Sequence, residues 1–114
     1  MAIPVVLSKA YTVAANTTTM DTIYTVSPAR KLRLKKITLN FPATTANNLR
    51  VEFFRNEIKI IPTVSDMVIV GDNTKIVIES VFELVSGESL RVKLSNVSTT
   101  QANSCVIYVE GEEL

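Results

Sequence analysis

The feature that most constrains this chain of 114 residues is the period of two in its apolar residues. Leu49, Val51 and Phe53 alternate with mostly charged residues, and the segment 90–94 repeats the pattern. Such alternation predicts half-buried strands, because successive side chains of a strand point to opposite faces. No window sustains the spacing of three and four residues that an amphipathic helix needs. We therefore expect almost no helix.

Turn signals separate the alternating segments at intervals of about 8–12 residues. They are the turn sequences SPAR at 27–30, RNE at 55–57, GDN at 71–73 and SGES at 86–89, together with the polar stretches at 14–19, 42–48 and 95–104. No connection is long enough or helical enough for the crossover that parallel strands need. The spacing is typical of an antiparallel sandwich or barrel, and we predict an all-β fold, a single antiparallel β-sandwich of about eight strands. One of these strands is expected to run over 75–85 with a kink.

The alternation changes phase inside the segment KLRLKKITLNF, residues 31–41. Its apolar residues stand at even positions up to Leu34 and at odd positions from Ile37 onward. An extra residue at Lys35 or Lys36, a β-bulge, would let the inward face restart one residue later. The alternative is that one strand ends at Lys35 and a new strand begins.

The N-terminal segment is an apolar block, expected to be interrupted near Ser8, that precedes the polar stretch AANTTT at 14–19. We assign residues 1–19 to an N-terminal arm or first strand plus linker, and residues 20–114 to the sandwich. Two interpretations of the block stay open. It is either the first strand of the sandwich or a detachable arm. As an arm, it would pair with the open edge of a neighbouring subunit through Val5, Val6 and Leu7.

Composition argues against several classes of function. Histidine is absent, which removes the commonest general base and the commonest metal ligand. The carboxylates show no paired spacing, and the three glycines form no phosphate-binding loop. We therefore expect no enzymatic activity, no cofactor and no bound metal. Cys105, the only cysteine, lies in a strand-like run and is expected to be a buried thiol.

The charge pattern and the apolar runs also argue against two kinds of partner. The net charge is +1, which gives no general attraction to nucleic acid. No apolar run approaches the roughly 20 residues that a membrane span needs, so we expect no membrane association. The N-terminus has no basic region of the kind that opens a signal peptide.

The densest charge feature is the run of cations beside the phase switch. Lys31, Arg33 and Lys35 share one face of a strand, about 7 Å apart in succession. They form either a solvated outer face or a docking patch for acidic groups of a neighbouring subunit, such as the tail EGEEL of another copy. A third interpretation is single-stranded nucleic-acid binding, but no aromatic residues are interleaved on which bases could stack.

Four segments between about residue 24 and residue 114 carry a resemblance to a known class of proteins. They are TVSPARKLRLKKITL, LRVEFFRNEIKI, FELVSGESLRVKLSN and the closing VEGEEL. Through them the chain resembles small jelly-roll or β-sandwich structural proteins of tailed phages and archaeal viruses, namely capsid decoration proteins and the head domains of fibres and spikes. The resemblance implies a jelly-roll-like sandwich without enzymatic activity that forms a symmetric homo-oligomer, usually a trimer. It also implies a major capsid or other virion protein as partner, and a virion location after assembly in the host cytoplasm.

The leading hypothesis is therefore a self-associating structural protein that decorates or stabilises a viral capsid or forms a spike. The alternative is a carbohydrate- or receptor-binding module of the lectin type. Its surface would be the loops 42–48, 71–74 and 95–104, which are rich in Asn, Thr and Ser. The absence of tryptophan argues against the alternative, because sugar rings commonly stack on indoles.

Overall fold

The computed structural model describes residues 2–41, 48–62, 69–70, 75–79 and 82–114, which form ten strands and no helix. The strands are β1 (Ile3–Val13), β2 (Thr17–Thr25), β3 (Lys31–Asn40), β4 (Leu49–Arg55), β5 (Ile58–Ile61), β6 (Ile69–Val70), β7 (Lys75–Ile78), β8 (Phe82–Val85), β9 (Ser89–Asn96) and β10 (Asn103–Glu113). The predicted turns at 27–30, 55–57 and 86–89 are present. Asn56 and Gly87 adopt the positive φ angles that their turns need, 53° and 82°. The turn predicted at 71–73 lies outside the described residues.

The strands form two antiparallel sheets that pack against each other around one apolar core. One sheet has the order β1-β10-β3, with β7 and β8 both paired to the far side of β3. The other has the order β2-β9-β4, with β5 and β6 both paired to the far side of β4. The strands pair from the ends of the chain inward, as in one long hairpin that is rolled across two sheets. The successive pairs are β1–β10, β2–β9, β3–β7/β8 and β4–β5/β6. This is the jelly-roll arrangement, and it confirms the predicted antiparallel sandwich.

The ten strands fill only eight places in the two sheets, because two edges are each formed by a pair of short strands. Strand β8 pairs with β3 before its phase switch, through Leu32 and Leu34 among others, and β7 pairs after it, from Ile37 onward. The single kinked strand expected over 75–85 is therefore two strands that follow one edge of β3. Strands β5 and β6 share the edge of β4 in the same way.

The phase switch in β3 is a β-bulge, as predicted. Lys36 lies opposite Glu110 and Leu34 lies opposite Gly111, so Lys35 has no partner in β10. The buried positions of β3 change from even to odd across this point. The bulge thus keeps a strand of ten residues facing the core along its whole length.

Gly111 of β10 allows the bulged backbone of β3 to lie close to the backbone of β10. A Cβ atom at this position would lie 2.5 Å from the carbonyl oxygen of Arg33, well inside van der Waals contact. Only glycine leaves room for the backbone of β3 there. The sequence GEE at 111–113 therefore has a structural requirement that the alternation of apolar residues did not reveal.

The core is built from the inward-facing residues of both sheets. Leu32, Leu34 and Leu39 of β3 have no solvent-accessible surface, and neither has Phe53 of β4. Each such side chain contributes about 1.5–3 kcal/mol on burial. Cys105 of β10 is buried among them, and desolvation raises the pKa of its thiol to about 12. The predicted burial of this thiol is confirmed.

Several element boundaries differ from the predictions. Strand β1 is not interrupted near Ser8, because it pairs with β10 at every position from Ile3 to Val13. The polar stretch at 14–19 is only a short turn, since β2 begins at Thr17. The acidic tail is not a free tail, because β10 continues through Glu113.

Two further bulges or register shifts escaped the sequence pattern. In β2, Ile23 is an extra residue between Thr22 and Tyr24, and its side chain turns into the core. Between β4 and β5 the register shifts beside Phe53, so Ile60 and Ile61 are both buried and Ile58 is exposed. Simple alternation of exposed and buried residues therefore does not hold through β5.

Candidate interaction surfaces

The predicted cation stripe lies on the outer face of the first sheet, where the bulge presents it beside the end of β10. Arg33 forms ion pairs with Glu83 of β8 (3.6 Å) and Glu112 of β10 (3.7 Å). Lys35 also reaches Glu112, at 3.4 Å. Lys31 makes no ion pair with any residue that the structure describes. The acidic partners foreseen in a neighbouring copy are therefore present in the same chain.

These surface ion pairs are exposed and contribute little to stability. The side chains of Arg33 and Lys35 are 42% and 53% accessible, respectively. Pairs of this kind typically contribute between 0 and about 1 kcal/mol. Their effect is to neutralise the stripe locally, so it offers less net positive charge to a partner than the sequence suggested.

Glu113 forms a second, more enclosed charge cluster at the same end of the sandwich. Its carboxylate accepts hydrogen bonds from the hydroxyls of Tyr24 and Ser27, and Arg30 lies 3.7 Å away. The hydrogen bond from Tyr24, aided by those from Ser27 and by the charge of Arg30, lowers the pKa of Glu113. The same hydrogen bond raises the pKa of Tyr24. The cluster joins the last strand to the β2–β3 connection, and so links the two sheets.

The three apolar residues assigned to subunit contact are divided between two faces of β1. Val5 is buried and Leu7 packs against the core, whereas Val6 is 73% exposed on the outer face. Across the outer face, the register places Val6 beside Glu110 of β10 and Lys36 of β3. Of these three residues, only Val6 has a side chain exposed enough to contact a partner.

A polar cluster closes the gap between β1 and β2, the two edge strands that face each other across the sandwich. The hydroxyl of Tyr11 donates to Asp21 at 2.6 Å, and Lys9 lies 3.4 Å from the same carboxylate. Lys9 also donates to the carbonyl of Thr22 at 3.2 Å. The hydrogen bond from Tyr11 and the charge of Lys9 lower the pKa of Asp21, and burial together with Asp21 raises the pKa of Tyr11. Lys9 is therefore turned toward the second sheet.

The loop 97–102, part of the predicted glycan-binding surface, is held from inside by buried polar side chains. The amide nitrogen of Asn96 donates to the carbonyls of Val13 (2.9 Å) and Gln101 (2.9 Å). Its amide oxygen accepts from Asn103 at 2.8 Å and from the backbone of Ser98 at 3.0 Å. These groups fix the loop and are not available to a ligand. Residues 42–47 and 71–74 of that surface lie outside the described residues.

Across the described ranges, no group of three or more acidic or cysteine side chains is arranged to hold a metal ion, and no pocket is found. The described part of the chain also has no helix long and apolar enough to cross a membrane.

The alternation in β9 and β10 places two enclosed polar residues, Asn96 and Glu113, on the inward face, although neither was predicted to be buried. Counting by two from Cys105 along β10 reaches Glu113, and counting by two from Leu90 along β9 reaches Asn96. Both residues therefore fall on the inward face, and a polar residue there must find a partner. The partners, Tyr24 for Glu113 and Val13 for Asn96, come from distant segments that alternation does not identify.

Comparison with known proteins gives structural likeness without sequence relationship. No family model matches the chain, and no curated protein matches it. A chain in the atomic structure of Sulfolobus Turreted Icosahedral Virus superposes with a TM-score of 0.58 at 12% identity. The match covers 97% of this chain and 29% of the viral one, so this chain spans less than a third of its length. The crystal structure of FLHE superposes with a TM-score of 0.50 at 12% identity, over 96% of each chain.

These likenesses concern the fold. At 12% identity they show that the β-sandwich of this chain recurs in a virus structure and in FLHE. They carry no residue-by-residue correspondence of function, because jelly rolls host many unrelated activities.

Proposed function

We propose that this protein is a non-enzymatic structural component of a virion, a jelly-roll subunit that decorates or stabilises a capsid or forms a spike. The observation that carries the proposal is the likeness of nearly the whole chain to part of a chain in the Sulfolobus Turreted Icosahedral Virus structure. The nested strand order supports it, since double-sheet jelly rolls are a common architecture of viral capsid proteins.

The finer parts of the proposal are self-association and a capsid partner. A symmetric homo-oligomer, with a trimer as the first expectation, would suit a subunit repeated over a particle surface. Its partner would be a major capsid or other virion protein, with assembly in the host cytoplasm. The outer face of the first sheet supports a protein partner, because it combines the exposed side chains of Val6 and Tyr108 with the cation stripe.

The experiment that tests the proposal is quantitative mass spectrometry of virus particles purified on a density gradient from the source culture. A virion component co-sediments with the major capsid protein at a fixed ratio across the particle peak, and keeps that ratio after a second gradient. Presence only in the soluble fraction, or a ratio that falls with each purification step, would refute the virion role.

A further inference from the structure

The edges of the two sheets differ in how well they are protected against pairing with another chain. An edge strand exposes unpaired N–H and C=O groups, and proteins usually blunt such edges with short strands, bulges or charges. Strands β5, β6, β7 and β8 have only two to four residues each, and β2 carries the bulge at Ile23. Strand β1 has eleven residues in continuous register and no bulge. It is the one long, regular edge among the described strands.

The side chains of β1 provide no protection either. Lys9 is its only charged residue, and its ammonium group is turned away to Asp21 and Thr22 of β2. The outward-facing residues of the strand centre are Val6, Ser8 and Ala10, which are small or apolar and exposed. A neighbouring strand could therefore approach the edge without meeting a buried charge or a bulky side chain.

The register shows which backbone groups are free on this edge. Leu114 and Lys31 exchange both backbone hydrogen bonds, at 2.8 and 3.1 Å, so even-numbered residues of β10 point their backbone groups toward β3. Odd-numbered residues of β10 then point toward β1, where their partners are also odd-numbered. The N–H and C=O groups of the even-numbered residues of β1 therefore face away from the sheet. Pro4, which has no N–H group to donate, falls on one of these positions.

We infer that β1 pairs with β1 of a second copy of this chain, antiparallel about a two-fold axis near Ser8. This register sets Val6 against Ala10 of the partner subunit and Lys9 against Leu7 of the partner subunit. It avoids the direct juxtaposition of the two Lys9 side chains that a register centred on Lys9 would create. The pairing gives about eight backbone hydrogen bonds, comparable to a typical protein interface. The exposed Val6 and Tyr108 side chains of both copies then lie on one continuous outer face.

The inference deepens the proposed function and rests on it for the claim that copies associate. A second copy is favoured over a different protein because β1 can pair with another β1 without a clash. In the Ser8-centred register no two like charges lie opposite each other, and the outward-facing residues of the strand centre are small or apolar. Isologous pairing also closes after two copies, so the exposed edge does not lead to open-ended assembly.

Cysteine cross-linking of the purified full-length chain tests this inference. Ser8→Cys places two thiols on directly opposed residues whose Cα atoms are about 5.5 Å apart, within reach of a disulfide. Thr12→Cys is the matched control on the same face, because the two copies of residue 12 would be about 27 Å apart. We expect Ser8→Cys to form a covalent dimer under mild oxidation and Thr12→Cys to stay at the background set by Cys105.

A second pair of variants tests the edge hydrogen bonds. Ser8→Pro removes an N–H group that faces away from β10, so the sandwich keeps its fold while the dimer dissociation constant rises by at least about tenfold. Ser8→Ala keeps the N–H group and should leave the dimer unchanged. Light scattering gives the association state, and circular dichroism checks the fold.

Three outcomes would overturn the inference. They are equal cross-linking of Ser8→Cys and Thr12→Cys, a dimer that survives in folded Ser8→Pro, and a monomer at all concentrations that binds particles through this edge. The last result would assign the edge to another virion protein and leave the virion role intact. Cross-linking at Ser8 in a protein absent from particles would instead refute the virion role and leave this pairing standing.

Discussion

At the scale of single residues, the fold depends on which parity of each strand faces inward. Leu39 has no accessible surface, whereas its neighbour Thr38 points to the outer face of the same sheet. We expect Leu39→Ala to lower the free energy of unfolding by about 2–5 kcal/mol, because it leaves a cavity in a closed core. Thr38→Ala should cost less than about 1 kcal/mol. Urea unfolding of both variants measures the difference, and equal losses would contradict the assigned parity.

Glu113 should make stability depend on pH in the acidic range. Its pKa in the folded protein is lowered by Tyr24, Ser27 and Arg30, so its contribution is present above its ordinary pKa of 4.5. The contribution is lost as the pH falls toward the folded pKa, because protonation then costs the native interactions. Glu113→Gln should therefore destabilise the protein most at pH 6–8 and progressively less below about pH 4.5.

Thermal unfolding from pH 3 to 7 measures this dependence. Glu57→Gln serves as the control, because the side chain of Glu57 is 87% exposed and its ion pair with Arg91 lies on the surface. A destabilisation by Glu113→Gln that does not change with pH would show that the carboxylate has no such role.

The difference between what could and could not be predicted at this scale has a physical cause. Burial of Leu39 follows from local alternation, which any strand must obey. The environment of Glu113 depends on Tyr24, which lies 89 residues away in sequence and meets it only because two sheets pack together. Local patterns therefore identify which residues face inward, but not which polar groups they meet.

At the scale of elements, the bulge in β3 is the device that the sequence revealed most clearly. Deletion of Thr38, which lies beyond the bulge, would shift the alternation by one residue and turn the buried side chains of Leu39 and Phe41 toward solvent. Exposing two large buried side chains costs about 3–6 kcal/mol, a large part of the stability of a domain of this size. We expect this deletion variant to be unfolded or close to it at 25 °C.

The matched control is deletion of Lys35, the extra residue of the bulge. It leaves Lys36 opposite Glu110 in one regular strand, so every buried side chain of β3 keeps its face. This variant loses only an exposed ion pair with Glu112 and should stay folded. Circular dichroism and urea unfolding distinguish the two variants, and equal destabilisation by both deletions would contradict the bulge at Lys35.

Other element boundaries were less accessible to sequence reasoning. The bulge at Ile23 of β2 occurs among threonines, where polar and apolar positions contrast too weakly to show a change of phase. Charged residues follow Val109, so apolar alternation does not show that the last strand continues beyond it. Those residues continue the strand, since Glu112 pairs with Arg33 and Lys35 outside while Glu113 is enclosed inside.

At the scale of the whole molecule, alternation and turn spacing were enough to predict an antiparallel sandwich. They did not specify which strands are neighbours, because nesting of the first strand with the last is a long-range property. The nesting has a consequence for assembly. It leaves β1 at the edge of its sheet, where eleven residues in regular register carry the free hydrogen-bonding groups.

Site-resolved amide hydrogen exchange, measured by NMR at a series of protein concentrations, tests whether the sandwich associates through the open edge of β1. The amides of Leu7, Lys9 and Tyr11 bond to β10 and should be protected at every concentration. The amides of Val6, Ser8 and Ala10 face the open edge and should exchange rapidly in dilute protein, then become protected as copies associate. Protection of the second set that is independent of concentration, or rapid exchange of the first set, would contradict a rolled sandwich that associates through β1.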